Sequence, residues 1–306
     1  MLPANSPFMR PRYKLIAILV ILATALPAIG REVFDDVSWT PRAIKVGAPC
    51  LFKVEVSAAP SSVRGKWQGR DLVLFPVGQH VWYGLAGVDV EAMPGDDKLE
   101  LEATMPDGQV VRAVRQIQVQ PSVYKTEKLK VPARFVQPDA ETLKRIEADK
   151  AAKQAAFAHQ IAAPEWSGSF RAPVTSTASE GFGTRRTFNG QLASIHRGLD
   201  YHAPEGTPIR AANAGVVVLA QELFYEGNCV IIDHGQQFMT VYMHLSKIQV
   251  APGETVKQGQ QIGLSGATGR ATGPHLHVAV RWQGAYLDPA QLWLLPLPTL
   301  EGADVH

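Results

Sequence analysis

Two histidines stand one residue apart at the start of an apolar run. The stretch TGPHLHVAV, residues 272–280, places His275 and His277 directly after a Thr-Gly-Pro turn. Because side chains at i and i+2 of a strand point the same way, both imidazoles project to one face while Leu276 faces the other. This arrangement can build a metal or proton-transfer site, and a pair of surface histidines would show the same pattern.

A second stretch with metal-binding residue types is SIHRGLDYHAPEG, in which His196 and Asp200 are four residues apart. Gly198, Pro204 and Gly206 disfavour a helix here. In a fully extended strand the two side chains would lie about 13 Å apart, too far to share one ion. The chain must therefore bend between them, and Gly198 is the residue that permits the bend.

The residue types at these two stretches match the needs of a catalytic zinc site. Such a site takes three nitrogen or oxygen ligands from the protein and leaves a fourth position for water. His196, Asp200 and one histidine of the HLH pair would supply the three ligands. The other histidine of the pair, and His244 in TVYMHLS, would then be available for proton transfer or for stabilising an oxyanion. The two motifs can also occur together by chance.

The first thirty residues have the pattern of an export signal. A basic start leads into an apolar run of about a dozen residues, 15–26, and then into small residues up to Gly30. These are the parts of a secretory signal peptide, and the run is shorter than the roughly 20 residues of a membrane span. We expect export to the periplasm or cell envelope with cleavage, and contact with a membrane only if the segment is retained as an anchor.

Charge and cysteine content restrict the function classes. The whole chain has a formal net charge of +2, and residues 1–30 carry three positive and no negative charges, which leaves about −1 for the exported chain. A near-neutral protein has no general electrostatic basis for binding nucleic acid. Cys50 and Cys229 could pair in an oxidising compartment, but we expect buried free thiols in two separate domains.

The chain divides by composition into β-rich parts joined by a helix, so the fold is expected to be mainly β. Residues 31–136 contain short alternating runs such as LFKVEVS and KLELEATM between turns, which predicts an immunoglobulin-like β-sandwich. Residues 137–165 predict a helical linker with Asp139 as N-cap and the i,i+4 pairs Glu141–Arg145 and Asp149–Lys153. Residues 166–295 predict a second β-rich domain of glycine-rich strands, and residues 296–306 a C-terminal tail.

Several motifs in residues 168–289 together resemble one known family. They are GFGTRR, HRGLDYHAPEGTPIRAANAGVV, VIIDHGQQFMTVYMHLS and VAPGETVKQGQQIGLSGATGRATGPHLHV, in this order. The region resembles the M23 family of zinc metallopeptidases, the lysostaphin-like and LytM-like peptidoglycan endopeptidases. The resemblance implies an antiparallel β catalytic domain with a groove, of the duplicated hybrid motif type.

The resemblance also implies a role for each residue of the motifs. The HxxxD of the family falls on His196 and Asp200 and the second histidine of its HxH on His277, which makes these three the ligands of a Zn²⁺ cofactor. The first histidine of the HxH, His275, and the histidine after the Tyr-x pair, His244, would be the catalytic residues. In the family they orient and deprotonate water at the zinc and stabilise the tetrahedral intermediate.

The predicted function is therefore zinc-dependent hydrolysis of peptide cross-links in peptidoglycan, with the stem peptides as partners. Two alternatives are a non-catalytic LytM-like regulator that activates a cell-wall amidase, and a zinc peptidase that acts on protein substrates. Regulators of that kind lack metal ligands, whereas all five key positions are present here. The sandwich is expected to inhibit the groove, to position the enzyme on the wall, or to serve as a structural module. Many family members follow HLH with an aromatic residue and a Glu, where this chain has Val278 and Ala279.

Overall fold

The computed structural model describes residues 33–128, 139–188 and 191–300. The predicted signal peptide, residues 1–30, lies outside the described residues, and so do residues 301–306 of the predicted tail. No helix within the described ranges is long and apolar enough to cross a membrane.

Eight strands near the N-terminus form two four-stranded antiparallel sheets. The strands are β1 (Phe34–Thr40), β2 (Pro49–Val56), β3 (Ser62–Trp67), β4 (Arg70–Val73), β5 (Phe75–Val77), β6 (Val81–Gly87), β7 (Gly95–Thr104) and β8 (Val110–Val119). Their orders, β1-β2-β6-β5 and β4-β3-β7-β8, agree with the A-B-E-D and C′-C-F-G arrangement of immunoglobulin-like sandwiches. Phe52 and Trp67, both fully buried, meet edge to face at 5.3 Å in the shared core.

The predicted linker helix is present as α1 (Ala140–Phe157). The Asp139 side chain accepts a hydrogen bond from the Thr142 N–H at 2.8 Å, which is the N-cap that the sequence predicts. The side-chain pairing differs from the expected i,i+4 pairs. Arg145 lies 4.0 Å from Asp149, and Lys153 pairs with Glu226 on a neighbouring hairpin. The charged residues of this helix therefore serve tertiary contacts as well as the helix itself.

The C-terminal part is built on a ten-stranded sheet in which every pair of described neighbours is antiparallel. This architecture confirms the prediction of a mainly β fold. Its strands are β10 (Ala178–Glu180), β13 (Leu199–Tyr201), β14 (Pro208–Arg210), β15 (Gly215–Leu223), β16 (Gly227–Asp233), β17 (Phe238–Ile248), β18 (Thr255–Val256), β19 (Gln261–Ser265), β20 (Leu276–Trp282) and β21 (Ala285–Leu287). Helix α2 (Pro289–Leu294) follows the last strand.

A small third sheet connects the two parts of the chain. It has the order β12-β11-β9 and comprises β9 (Thr126–Lys128), β11 (Arg185–Phe188) and β12 (Gln191–Ile195). Strands β9 and β11 pair in parallel, so the chain leaving the sandwich binds directly to the strands that precede His196.

The sandwich and the ten-stranded sheet share one buried core. Leu287 of β21 packs against Gly87 of β6 so closely that a Cβ on Gly87 would lie 2.4 Å from Leu287 Cδ2. Phe238 and Trp282 belong to the same hydrophobic cluster as the sandwich interior. A second cluster, which includes Leu276 and other residues of the central strands, lies beneath the predicted site. The domain boundaries expected at residues 136 and 166 stay a prediction.

The two cysteines are free and buried, as expected. Cys50 is in the sandwich and Cys229 is in β16. Burial raises the pKa of both thiols far above the usual range, so at neutral pH neither is a thiolate.

Candidate metal centre

Three neighbouring strands of the large sheet carry the centre. The order β13-β20-β17 puts Asp200 directly opposite His277, and His277 directly opposite Met243 on its other side. Because facing residues in an antiparallel pair have Cβ atoms about 5 Å apart, Asp200 and His277 meet without any loop rearrangement. The sheet register therefore fixes the positions of Asp200 and His277 relative to each other.

His196 reaches the same place through a bend in the chain. Strand β12 ends at Ile195 and β13 begins at Leu199, so His196 lies in the break between them. Its backbone is held there by a hydrogen bond from its N–H to the Thr184 carbonyl at 2.9 Å. The bend that the HxxxD spacing demands is thus present.

Gly198 permits this bend for a reason other than the expected backbone freedom. It does not have a positive φ, and instead the His277 ring occupies the space where a side chain would be. A Cβ on Gly198 would lie 2.3 Å from His277 Nε2 and 2.6 Å from the Val278 carbonyl oxygen. The glycine is needed so that the β12–β13 bend can lie against the imidazole.

Three potential ligand atoms converge in a tight triangle. His277 Nδ1 lies 2.7 Å from Asp200 Oδ1 and 3.0 Å from His196 Nε2, and His196 Nε2 lies 3.3 Å from Asp200 Oδ1. In their metal-ligating forms all three atoms present lone pairs, so a cation is the natural partner. Ligand atoms around a tetrahedral zinc with bonds of about 2.0–2.1 Å are separated by roughly 3.3 Å. The donor set of two imidazoles and one carboxylate fits such an ion with a small outward adjustment.

A backbone carbonyl sets the orientation of the His196 ring. His196 Nδ1 lies 3.1 Å from the Gly181 carbonyl oxygen, to which only a protonated nitrogen can donate. In the neutral ring Nε2 then carries the lone pair that faces Asp200 and His277. His196 is 3% exposed, so this orientation is protected from water.

His244 and His275 stand beside the triangle and have the same ring orientation. His244 Nδ1 lies 2.8 Å from the Thr268 carbonyl oxygen, and His275 Nδ1 lies 2.8 Å from the Gly273 carbonyl oxygen. The two rings are 4.7 Å apart between centroids, and His275 Nε2 is 3.9 Å from Asp200 Oδ1. In both neutral rings Nε2 is the proton acceptor.

The charge states of the centre suit a divalent cation. Burial opposes ionisation of Asp200, but hydrogen bonds from His196 and His277 outweigh it and hold the pKa of the carboxyl well below its usual range. Burial lowers the pKa of His277, although Asp200 opposes the effect. Burial and the neighbouring His277 lower the pKa of His244 to about 4. Burial also lowers the pKa of His196, but hydrogen bonding to Asp200 outweighs it and raises this pKa above its usual value. The Asp200 carboxylate and a neutral His277 are the forms that bind metal, and metal binding at His196 releases any proton that its Nε2 carries.

The structure brings together all five side chains that the sequence singles out. His196, Asp200 and His277 form the triangle, and His244 and His275 lie next to it. The sequence does not reveal the carbonyls that orient the rings, because every residue has a carbonyl and only the fold brings one within reach of an imidazole. A hint in the sequence is the glycine content near the motifs, since two of the three acceptors belong to glycines.

The two residues that follow His277 lie in the apolar interior. Val278 and Ala279, where many family members have an aromatic residue and a Glu, are both buried in apolar clusters. His234 in the DHG turn is fully buried and contacts the Ala214 carbonyl and the Thr240 hydroxyl through its two nitrogens. His234 therefore has a structural role, since both of its ring nitrogens are occupied by contacts within the fold.

Comparison with known proteins places the chain in a family. The model of peptidase family M23 matches residues 194–289, which contain all five side chains of the centre. A solved structure from Pseudomonas aeruginosa, assigned to peptidase M23, is 30% identical with a TM-score of 0.61, over 81% of this chain and 94% of that one. The chain belongs to peptidase family M23.

Curated relatives match over shorter stretches. The peptidoglycan DD-endopeptidase ShyA of Vibrio cholerae is 55% identical over 82 residues, which are 27% of this chain and 19% of ShyA. The peptidoglycan DD-endopeptidase ShyC of the same organism is 44% identical over 126 residues, which are 40% of this chain and 29% of ShyC. The matched stretches thus span less than a third of each of these two relatives.

Proposed function

We propose that this chain is a zinc-dependent endopeptidase that hydrolyses D,D-peptide cross-links of bacterial peptidoglycan. The observation that carries the proposal is the convergence of two imidazoles and one carboxylate at 2.7–3.3 Å beside two further histidines of defined orientation. Membership in peptidase family M23 supports the reaction class. The names of ShyA and ShyC support the choice of peptidoglycan as the substrate.

His196, Asp200 and His277 are the residues that would hold the zinc ion. One carboxylate against a divalent ion leaves a net positive charge at the centre. A bound Zn²⁺ supplies a Lewis acid that polarises a carbonyl and lowers the pKa of water. The protein contributes the ligand spacing, and the Gly181 carbonyl fixes the ring orientation of His196.

His244 and His275 are proposed to move protons during the reaction. Each has its Nδ1–H committed to a backbone carbonyl, so Nε2 is free to accept a proton from the attacking water. The imidazolium formed in this way can donate to the oxyanion or to the leaving amine. The neutral state of His244 at pH 7, with a pKa of about 4, suits it to begin the cycle as the acceptor.

The proposed substrate places the protein in the bacterial envelope. Peptidoglycan lies outside the cytoplasmic membrane, and the signal-like pattern in residues 1–30 agrees with export. N-terminal sequencing of the protein from a periplasmic extract should therefore begin near residue 31. A chain that keeps its first thirty residues and fractionates with membranes would instead indicate a retained anchor.

Metal analysis and digestion of purified sacculi test the proposal together. The wild-type protein should contain about one zinc per chain and convert cross-linked muropeptide dimers to monomers, as read by mass spectrometry. His277→Ala should lose both zinc and hydrolysis. His202→Ala is the matched control, because His202 is an exposed histidine close to the HxxxD motif in sequence. Its zinc content and activity should equal those of the wild type.

Two other outcomes would redirect the assignment. Zinc at full occupancy without hydrolysis of sacculi, together with stimulation of a cell-wall amidase, would establish the regulator. Cleavage of an extracellular protein such as elastin in a parallel digest, with sacculi intact, would establish a peptidase of protein substrates.

A further inference from the structure

The backbone of His244 has a conformation that few residues with a side chain adopt. Its φ is +62°, in the left-handed region. Strand β17 carries one extra residue at this point, because Leu245 faces Asn228 while Tyr242 faces Val230. Such a bulge turns a side chain away from the regular alternation of the strand, and bulges are common beside active sites. The direction of the His244 ring therefore depends on whatever holds the bulge.

Two backbone carbonyls hold the bulge at His244. The His244 N–H donates to the Glu226 carbonyl at 2.8 Å, and the ring Nδ1 donates to the Thr268 carbonyl at 2.8 Å. The first of these fixes the main chain and the second fixes the ring. Glu226 lies in the turn between β15 and β16, outside the strands that carry the metal centre. The position of this turn thus sets the backbone of His244.

Polar contacts attach this β15–β16 turn to helix α1. The Asp149 carboxylate accepts a hydrogen bond from the Phe224 N–H at 2.7 Å, and the Lys153 ammonium forms a short ion pair with the Glu226 carboxylate. Arg145 donates to Glu222 at 3.0 Å. The three helix residues are spaced four apart and lie on one face of the helix. This face covers the hairpin turn from Glu222 to Glu226.

The contacts of Asp149 and Lys153 are better shielded than ordinary surface ion pairs, whereas the Arg145–Glu222 pair is exposed. The side chains of Glu226, Asp149 and Lys153 are 13%, 14% and 26% exposed. By contrast, the Lys150–Glu147 pair on the same helix spans 3.8 Å between side chains that are 60% and 73% exposed. Shielded charges lose more when a partner is removed, because the remaining charge stays partly buried.

Apolar packing holds the C-terminal half of α1, where Ala156 is buried and Ala152 and Phe157 pack against the same cluster of the large sheet. Nearer the N-terminus, Leu143 is 50% exposed. At the C-terminal side, His159 Nδ1 lies 2.7 Å from Asp233 Oδ2, which fastens that end to the far end of β16. Apolar and polar contacts therefore place the helix together, and the polar contacts of Asp149 and Lys153 are made to the hairpin that holds His244.

We infer that helix α1 positions His244 for catalysis, with Lys153 and Asp149 acting as positioning residues through the Glu226 carbonyl. This inference rests on the proposed function for its effect on the reaction. The chain of contacts runs from the Lys153 ammonium to the Glu226 side chain, and from the Glu226 carbonyl to the His244 N–H. Neither positioning residue belongs to the metal triangle.

Lys153→Met tests the inference, because methionine keeps an apolar chain of similar length and removes the charge. We expect kcat on cross-linked muropeptides to fall about 10- to 100-fold, the loss typical of a displaced catalytic group, with KM and zinc content unchanged. Lys153→Arg should restore most of the activity. Lys150→Met is the matched control, and its kcat should equal that of the wild type.

A second measurement does not depend on activity. In the zinc-free protein labelled with ¹⁵N-histidine, the imidazole resonances of His244 should shift in Lys153→Met and stay unchanged in Lys150→Met. Asp149→Ala should shift the same resonances, since it removes the acceptor of the Phe224 N–H, and it replaces Lys153→Met if that variant does not fold.

The outcomes separate the two proposals. Unchanged His244 resonances in both Lys153→Met and Asp149→Ala would overturn the positioning inference even if the wild type cleaves peptidoglycan. An equal loss of kcat in Lys150→Met and Lys153→Met would overturn it as well. A wild-type protein without hydrolysis would overturn the proposed function, and the resonances of His244 would then decide the positioning alone.

Discussion

Three backbone carbonyls, at Gly181, Thr268 and Gly273, determine which nitrogen carries the proton in each neighbouring histidine. A carbonyl accepts and never donates, so every one of these rings presents Nε2 away from its anchor. Side-chain substitution cannot remove such an anchor, but a shift of its loop can. The chemistry of the centre is therefore sensitive to residues that carry no functional group.

Gly198→Ala should weaken metal binding. The new Cβ would lie 2.3 Å from His277 Nε2 and 2.6 Å from the Val278 carbonyl oxygen, so the imidazole and the neighbouring backbone have to move and the triangle is disrupted. Displacement of a ligand by its surroundings typically costs about 10- to 100-fold in metal affinity. Competition with a zinc-binding dye measures the change.

Gly181→Ala is the matched control for that substitution. A Cβ at Gly181 meets no atom within 4 Å, and its φ is not positive. Its zinc affinity should stay within about twofold of the wild type, the size of an ordinary surface effect. Equal losses in the two variants would show that packing against His277 is not the cause.

His234 should make the metal-free protein less stable as the pH falls from about 6.5 to 4. Burial lowers the pKa of His234 to about 4, below its value of about 6.5 in the unfolded chain. Between these values the unfolded state binds the proton and the folded state does not, so unfolding is favoured as pH decreases. The stability lost across this window is about 3 kcal/mol.

Urea unfolding of the wild type and of His234→Gln at several pH values measures this effect. Glutamine can still donate to the Ala214 carbonyl and accept from Thr240, but it does not titrate. The difference in unfolding free energy between the two proteins should change across the window. A difference that is independent of pH would show that His234 is not the titrating group.

At the scale of single residues, much of the centre is predictable from the sequence. The spacings HxxxD and HxH identify four of the side chains, and the register of β13 with β20 explains why Asp200 and His277 meet. The carbonyl of Glu226 could not be identified, because its role depends on a bulge that one extra residue creates in β17. Gly198 was identified, although for backbone freedom and not for the space that His277 requires.

At the scale of elements, the loop of residues 266–274 lies between β19 and β20 and makes hydrogen bonds to β16 and β17 beside the centre. Thr268 Oγ1 accepts from the Asn228 N–H at 2.9 Å and donates to the Leu245 carbonyl at 2.8 Å. The Thr268 carbonyl meanwhile accepts from His244. One residue thus connects two strands and the ring of a catalytic candidate.

Thr268→Val should destabilise the fold and loosen His244. Valine has the same shape but leaves the Asn228 N–H without its acceptor, a loss of about 1–3 kcal/mol. Thermal unfolding measures the change. Thr207→Val is the control, because the Thr207 hydroxyl makes an exposed bond to the Pro204 carbonyl, and we expect a change of at most about 0.5 kcal/mol. Equal shifts in the two variants would contradict this role of Thr268.

The linker helix shows what pattern can and cannot predict at this scale. Its start at Asp139 follows from capping chemistry, which is local. The partners of Lys153 and Arg145 are not local, because Glu226 and Glu222 are more than seventy residues away in sequence. Side chains whose spacing suits i,i+4 ion pairs within a helix can instead form ion pairs with a hairpin that packs against the helix.

At the scale of the whole molecule, the sandwich and the ten-stranded sheet should unfold in one transition. They share a buried cluster in which Leu287 packs against Gly87, so neither part can lose its structure without exposing the other. Calorimetry should show a single peak whose calorimetric and van't Hoff enthalpies agree. Two resolved peaks would show that the shared core is too weak to couple the parts.

Leu287→Ala should lower the temperature of the whole transition. The fully buried side chain is lost at the junction of the two parts, which typically costs about 2–5 kcal/mol. Leu294→Ala provides the control, since Leu294 is 82% exposed and its loss should change stability by at most about 0.5 kcal/mol. A selective effect of Leu287→Ala on only part of the unfolding signal would contradict the coupling.

The left-handed backbone of His244 has a consequence for attempts to improve this protein. Glycine adopts that conformation without cost and asparagine does so more easily than most residues, so either would relieve the strand at position 244. A library sorted only for resistance to heat should therefore enrich these two residues there. Each selected variant would be more stable to heat and would lack the imidazole. Every round of selection therefore has to include a test of catalytic activity.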